Sequence, residues 1–153
     1  MKKIYFNPKK CLSCRSCEFA CAIGHSAARD LFAALKEEIK TLPSVKITGA
    51  KGKAYALRCR HCEDPKCVEA CMSACLSYDQ KTKQVVHNKE KCVGCWMCVM
   101  VCPYGAIRPN AYTKTPVRCD LCADEDIPRC VLACPTKALM FCEEAEFEKS
   151  VKH

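Results

Sequence analysis

The stretch that decides the fold is CVGCWMCVMVCP, residues 92–103. Its four cysteines follow the spacing C-x2-C-x2-C-x3-C, and a proline comes directly after the last of them. Groups of four cysteines that end in the same x3-C step occur three more times, so the chain contains an internal repeat. The four units in chain order are Cys11, Cys14, Cys17 and Cys21; Cys59, Cys62, Cys67 and Cys71; Cys92, Cys95, Cys98 and Cys102; and Cys119, Cys122, Cys130 and Cys134. Cys75 and Cys142 are left outside the repeat.

The cysteine content, 18 of 153 residues, is far above ordinary usage and would indicate a disulfide framework in a secreted chain. The first residues, MKKIYFNPKKC, lack the apolar core and cleavage site of a secretion signal. No stretch reaches about 18 apolar residues, so we expect no transmembrane segment. We therefore expect a cytoplasmic location, with attachment to the periphery of a membrane complex left open. In that compartment grouped thiols bind metal or perform redox chemistry.

The spacing favours iron–sulfur clusters over zinc. A cubane [4Fe–4S] cluster takes one thiolate at each iron corner, and a tight C-x2-C-x2-C loop can supply three of them. The stretch from Cys92 to Pro103 matches the bacterial ferredoxin pattern at every position. Structural zinc usually takes two pairs of ligands separated by a dozen or more residues, and four runs of four do not divide into such pairs. The sequence therefore predicts four [4Fe–4S] clusters as cofactors and the sixteen repeat cysteines as their iron ligands.

The formal charge of +8, from 25 Lys and Arg against 17 Asp and Glu, fits the same cofactors. Each oxidised cluster with its four thiolates carries a charge of about −2, so four clusters bring the loaded protein close to neutral. We therefore expect no nucleic-acid partner. We expect the lysine-rich segments to be mainly solvated faces. The alternative that one of them forms an electrostatic docking patch stays open.

The connections between the units predict short elements. Apolar residues at helical spacing predict a helix over 27–40, ended by Pro43. Two hairpins are predicted, one from VKIT and AYALR across residues 49–52, the other within LSYDQKTKQVVHN. Two prolines favour an extended connection in AIRPNAYTKTPVR. ALMFC is predicted as the last strand, and residues 143–153 as a polar helical tail.

At these motifs the chain resembles the polyferredoxin-like iron–sulfur subunits of anaerobic redox complexes, such as formate dehydrogenases and dimethyl sulfoxide reductases. The resemblance extends from Tyr5 to about Phe141. The segment IYFNPKKCLSCRSCEFACAIGHS, residues 4–26, is most similar to the ferredoxin-like partner of nickel carbon monoxide dehydrogenase. Where proline is frequent in the family, Ala22 follows Cys21 and Met72 follows Cys71.

The resemblance implies an α+β fold of two bacterial-ferredoxin-like 2[4Fe–4S] modules, the inner one inserted in the outer one. The outer module would comprise residues 1–25 and 110–142, the inner module residues 58–109, with a helix and hairpin insertion at 26–57 and a tail at 143–153. It also implies crossed ligand sets. These are Cys11, Cys14, Cys17 and Cys134; Cys59, Cys62, Cys67 and Cys102; Cys92, Cys95, Cys98 and Cys71; and Cys119, Cys122, Cys130 and Cys21.

The implied role is a non-catalytic electron carrier between carbon monoxide dehydrogenase and a second partner, either a hydrogenase or a flavin-dependent oxidoreductase. The alternative is the iron–sulfur subunit of a formate dehydrogenase, formate hydrogenlyase or related molybdenum oxidoreductase. Two other classes stay open, a zinc-stapled binding protein and a redox sensor in which cluster loss is the signal. No glycine-rich phosphate loop is present, so we expect neither flavin nor nicotinamide binding here.

The remaining candidate residues have mostly structural readings. Cys75 and Cys142 are predicted as buried free thiols, with a substitute ligand role for Cys75 and a labile disulfide or partner contact for Cys142 as alternatives. His61 and His87 are predicted at the surface or beside ligands, with His61 a candidate for tuning a cluster. Packing over clusters is predicted for the aromatic residues Trp96, Tyr5, Tyr78 and Tyr104.

Overall fold

The computed structural model describes residues 2–49 and 53–151. Two compact units divide the chain. We call them the flanking unit, which holds the residues up to Leu57 and those from Leu121 onward, and the central unit, Arg58–Asp120. In the described part of the chain, no helix is long and apolar enough to cross a membrane. The elements in chain order are β1 (Lys3–Phe6), α1 (Ser16–Gly24), α2 (Leu31–Lys36), β2 (Lys46–Thr48), β3 (Tyr55–Leu57), α3 (Lys66–Glu69), β4 (Leu76–Asp79), β5 (Gln84–His87), α4 (Met97–Val101), α5 (Arg129–Leu132), β6 (Leu139–Cys142) and α6 (Glu144–Val151).

The flanking unit is built on one antiparallel pair of strands from opposite ends of the chain. Strand β1 pairs with β6, with Ile4 opposite Phe141. Helices α1 and α5 pack against each other, and α6 packs on both strands of the pair. The Phe147 ring of α6 stacks on the Tyr5 ring of β1, with centroids 4.9 Å apart and an interplanar angle of 19°. The tail predicted as a polar helix is helical over Glu144–Val151, and an aromatic contact anchors it. Its last two residues lie outside the described ranges.

The central unit repeats this plan with a local hairpin. Strands β4 and β5 pair antiparallel, with Leu76 opposite His87, and helices α3 and α4 pack together. The buried core of the unit is small and contains two cysteines among its apolar residues: Cys75, Leu76, Val85, Cys98 and Ile107. Partly buried cysteines from several motifs pack against this core. We therefore expect folding of the unit to depend on what its thiols bind, as in other small metal domains.

Both predicted hairpins and the last strand are confirmed. The first hairpin pairs β2 with β3, and the second pairs β4 with β5. Residues 50–52 of the first turn lie outside the described residues. The predicted strand ALMFC corresponds to β6. The small α+β architecture with short antiparallel pairs fits a ferredoxin-like fold.

The helix predicted over 27–40 is wrong in extent, because only Leu31–Lys36 is helical. Its start is fixed by Asp30, whose Oδ1 accepts a hydrogen bond from the Ala33 N–H at 3.0 Å. The helix ends at Glu37, which takes an extended conformation with ψ 137°. Leu35 is 59 % exposed and Ile39 is 50 % exposed, so the apolar spacing did not mark a buried face.

The connection over residues 106–118 is not extended as predicted, since it folds back on itself. Arg108 and Val117 form an antiparallel bridge through N–O distances of 3.1 and 2.8 Å. At the tip, the buried Asn110 accepts hydrogen bonds from the backbone N–H groups of Tyr112 and Thr113. This Asx turn reverses the chain between the two prolines.

Candidate iron–sulfur sites

The first and third cysteine units share one local structure. A 3-10 turn precedes each unit, and an asparagine caps it: Asn7 Oδ1 accepts from the Lys9 N–H, and Asn88 Oδ1 accepts from the N–H groups of Glu90 and Lys91. The turns end at Cys11 and Cys92. The repeat therefore begins four residues before the first cysteine, in NPKKC and NKEKC. We did not predict the two asparagines, although that shared spacing was available in the sequence.

Each of these loops then has two left-handed residues that turn the chain between its cysteines. Ser13 and Arg15 have φ of 56° and 60° in the first unit, and Gly94 and Trp96 have φ of 68° and 62° in the third. Helix α1 follows Arg15 and helix α4 follows Trp96. Alternating left-handed residues turn successive side chains and N–H groups toward one side, which suits a loop wrapped around a sulfur-rich ligand.

In the flanking unit, four cysteines line one small cavity: Cys11, Cys14, Cys17 and Cys134. Cys11 and Cys17 are buried, whereas Cys14 is exposed. Strand β6 lies a few residues beyond Cys134 and pairs with β1, so the end of the chain is brought beside the first unit. Three thiols from one loop and one from a distant segment form the donor set that a cubane cluster takes.

In the central unit, a cavity of about 330 Å³ is lined by a second set of four cysteines: Cys59, Cys62, Cys67 and Cys102. Its wall also includes Tyr104, whose ring carries the Arg60 guanidinium 4.1 Å from its centroid. The Ala106 N–H donates to the Cys102 Sγ at 3.4 Å. The donor set and the N–H contact to the Cys102 sulfur both fit an iron–sulfur cluster held at this position.

A third group surrounds Cys98 of α4. Burial raises the pKa of the Cys98 thiol, and repulsion from the nearby thiols of Cys92, Cys95 and Cys71 raises it further. Cys71 of the second cysteine unit and Cys92 of the third both pack against the buried core that contains Cys98. Cys95 is exposed, as Cys14 is in the first unit.

The last predicted set takes its cysteines from both units, and Cys21 has the best described surroundings. The Ser44 N–H donates to the Cys21 Sγ at 3.2 Å, and the His25 Nδ1 lies 3.8 Å from the same sulfur. Cys130 lies on α5, which packs against α1, the helix that carries Cys21. Cys122 belongs to the flanking unit, and Cys119 to the central unit.

Burial keeps several of these thiols protonated until iron binds. It raises the pKa of Cys17 to about 12 and the pKa of Cys67 to about 11. Since only a thiolate binds iron, loading of such sites must release protons. None of the 18 cysteines, all of which lie in the described ranges, is in a disulfide.

Two basic side chains lie beside the cavity of the central unit. Arg118 is 8 % exposed, and its Nη2 lies 3.5 Å from the Cys59 Sγ. His61 is 2 % exposed, so of the two predicted positions, at the surface or beside ligands, the structure excludes the surface. Its Nδ1 accepts a hydrogen bond from the Val85 N–H at 3.1 Å, and burial lowers its pKa to about 4, which leaves the ring neutral. Through this hydrogen bond, His61 connects the loop of the second cysteine unit to strand β5.

This fold, with its grouped thiols, defines an iron–sulfur protein of the ferredoxin type. Residues 51–144 match the family model described as a 4Fe–4S dicluster domain. A protein of Rhodospirillum rubrum named "Iron-sulfur protein" is 40 % identical over 89 % of this chain and 79 % of its own length. The chain belongs to the 4Fe–4S dicluster domain family. It binds multiple [4Fe–4S] clusters and is an iron–sulfur electron-transfer protein.

Two further relatives carry related names. Electron transport protein HydN of Escherichia coli K12 is 35 % identical over 95 % of this chain and 90 % of its own length. The polyferredoxin-like subunit of the aliphatic sulfonate oxidoreductase of Pyrococcus furiosus is 35 % identical over 86 % of this chain and 70 % of its own length. The relatives thus include both a protein named for electron transport and a subunit of an oxidoreductase.

Proposed function

We propose that this protein accepts low-potential electrons from carbon monoxide dehydrogenase and delivers them to a second redox partner, a hydrogenase or a flavin-dependent oxidoreductase. It would do so with four [4Fe–4S] clusters and without a catalytic site of its own. The observation that carries the proposal is the grouping of cysteines from different motifs, three from one loop and one from another segment, around single positions. The choice of donor rests on the resemblance of residues 4–26.

We assign the ligands of four clusters by the crossed sets. Grouping around one cavity supports the set of Cys11, Cys14, Cys17 and Cys134 and the set of Cys59, Cys62, Cys67 and Cys102. Packing of Cys71 and Cys92 against the core that contains Cys98 supports the set of Cys92, Cys95, Cys98 and Cys71. The set of Cys119, Cys122, Cys130 and Cys21 rests on the resemblance.

When bound, the clusters supply reversible one-electron chemistry. The residues of this chain contribute burial, orientation and charge. Buried ligands such as Cys11 and Cys59 restrict water at the metal sites, while backbone N–H groups donate to the sulfurs of Cys21 and Cys102. The N–H donors favour the reduced, more negative state, whereas exclusion of water disfavours it, and together they set the potential. Cys14 and Cys95 are the exposed ligands of their sets, so they mark two positions where a partner can approach closely.

The test is reduction by the proposed donor under anaerobic conditions. The reconstituted protein is mixed with carbon monoxide and a catalytic amount of nickel carbon monoxide dehydrogenase, and bleaching of the brown absorption is followed. A parallel sample receives formate and formate dehydrogenase. Rapid bleaching with carbon monoxide alone supports the proposal, and rapid bleaching with formate alone assigns the protein to the alternative complex. Samples that lack either the dehydrogenase or its substrate are the controls.

A further inference from the structure

Cys75 lies directly beside the third group of thiols, although it belongs to none of the four cysteine units. Its Sγ is 3.3 Å from the Cys71 Sγ. Cys75 is 5 % exposed and forms part of the apolar core of the central unit together with Cys98. The position that needs four thiolates is thus surrounded by five thiols.

The β4–β5 hairpin holds Cys75 in this place. The Cys75 carbonyl accepts a hydrogen bond from the Asn88 N–H at 2.8 Å, just beyond the end of β5. The potential ligand atoms of Cys75, His87 and Cys92 all lie within 4.8 Å of one another. The His87 Nε2 is buried and has no hydrogen-bond partner among the described residues. Cys75 therefore lies within a group of metal-binding atoms.

We propose that Cys75 is a reserve ligand of the cluster assigned to Cys71, Cys92, Cys95 and Cys98, and that it replaces Cys71 when that thiolate is lost. The proposal rests on the proposed ligand set. A change of one χ1 rotamer moves a cysteine sulfur by about 3 Å, similar to the separation of the two sulfurs. A move of Cys75 to the position of the missing sulfur is therefore of the size that a side-chain rotation provides.

The exchange needs no oxidant or reductant. In a variant without the Cys71 thiol, a bond forms between the Cys75 sulfur and the iron that lacks a thiolate ligand. The Cys75 thiol releases its proton to solvent. The count of thiolates at the cluster returns to four and the oxidation state of iron does not change. A thiolate is preferred over the His87 imidazole because the other three ligands of the set are thiolates and the cluster type is usually held by four.

The test compares iron and sulfide content in anaerobically purified holoprotein variants. Cys71→Ala is expected to keep the wild-type content, with an altered electron paramagnetic resonance signal from one reduced cluster. Cys71→Ala/Cys75→Ala is expected to lose about a quarter of the iron and sulfide. Cys71→Ala/Cys142→Ala, which removes the other thiol outside the repeat, is the matched control and should behave like Cys71→Ala. The same comparison with Cys71→Val, a larger side chain that cannot bind iron, separates loss of a ligand from a defect caused by the smaller alanine.

Two results would overturn the reserve role. The first is the same loss of about a quarter of the iron in Cys71→Ala as in Cys71→Ala/Cys75→Ala, repeated in the valine pair. The second is full iron in Cys71→Ala/Cys75→Ala. Cys98→Ala then identifies which proposal has failed: iron loss in that variant overturns only the role of Cys75, whereas full iron there overturns the ligand set as well.

Discussion

The Nη2 atom of Arg118 lies 3.5 Å from the Sγ atom of Cys59, and both side chains are buried in the central unit. A guanidinium this close to a thiolate ligand provides a positive charge where water cannot screen it. Arg118 also opposes the rise in the pKa of Cys67, whose main cause is burial. The arginine therefore acts on two ligands of the same proposed set.

We predict that Arg118→Leu lowers the reduction potential of one cluster by about 60 mV or more. Reduction adds a negative charge, and a charged hydrogen bond that stabilises it contributes about 1.5 kcal/mol or more. A redox titration followed by electron paramagnetic resonance measures the potential. Arg118→Lys, which keeps the charge but loses the planar donor geometry, should show a smaller decrease. An unchanged or raised potential in Arg118→Leu would show that the contact does not tune the cluster.

Substitution of Gly94 is predicted to lower the stability of the loop of the third cysteine unit. It has a φ of +68°, and a Cβ atom added there would lie 2.6 Å from the Lys114 carbonyl oxygen. Gly94→Ala should therefore cost about 1 kcal/mol from its left-handed backbone and more from displacement of the Lys114 backbone. The expected result is a lower midpoint temperature for thermal bleaching.

Gly105 offers a matched control for this substitution. Its φ is +55°, and an added Cβ meets no described atom within 4 Å. Gly105→Ala therefore pays only the backbone term, so its midpoint should decrease less than that of Gly94→Ala. Equal decreases would mean that the contact between the loop and Lys114 contributes nothing to stability.

Phe147→Ala is predicted to release α6 from the flanking unit. The stack on Tyr5 and the lost apolar contact together contribute about 1 to 2 kcal/mol. Hydrogen exchange measured by mass spectrometry should show faster exchange in peptides that cover α6 and β1. Phe32→Ala is the control, because Phe32 is 72 % exposed and its removal should leave those peptides unchanged. Protection equal to wild type in Phe147→Ala would place the anchor of α6 elsewhere.

Local patterns in the sequence predicted the hairpins and the last strand correctly. The alternation in VKIT and LSYD reports on neighbours within a few residues, and so does the cysteine spacing. The helix over 27–40 was predicted too long because apolar spacing does not show where a helix begins or ends. In the structure Asp30 caps its start, and Glu37 ends it with an extended backbone. The turn at Asn110 was missed because prolines on both sides favoured an extended chain.

Features that depend on contacts between distant residues could not be read from the sequence. The burial of His61 follows from its hydrogen bond to Val85, 24 residues away. The contact of Arg118 with Cys59 spans 59 residues. The approach of Cys75 to Cys92 depends on the register of the β4–β5 hairpin. These three residues lie beside cysteines that the sequence predicts as ligands, and their contacts join segments that are distant in the chain.

Iron and acid-labile sulfide per chain provide the most direct test of the four-cluster assignment. Protein purified and reconstituted without oxygen is analysed for both elements, with the chain concentration taken from amino-acid analysis. Four [4Fe–4S] clusters require about sixteen iron and sixteen sulfide per chain, with Mössbauer parameters of cubane clusters. About eight of each, or stoichiometric zinc without brown colour, would contradict the assignment.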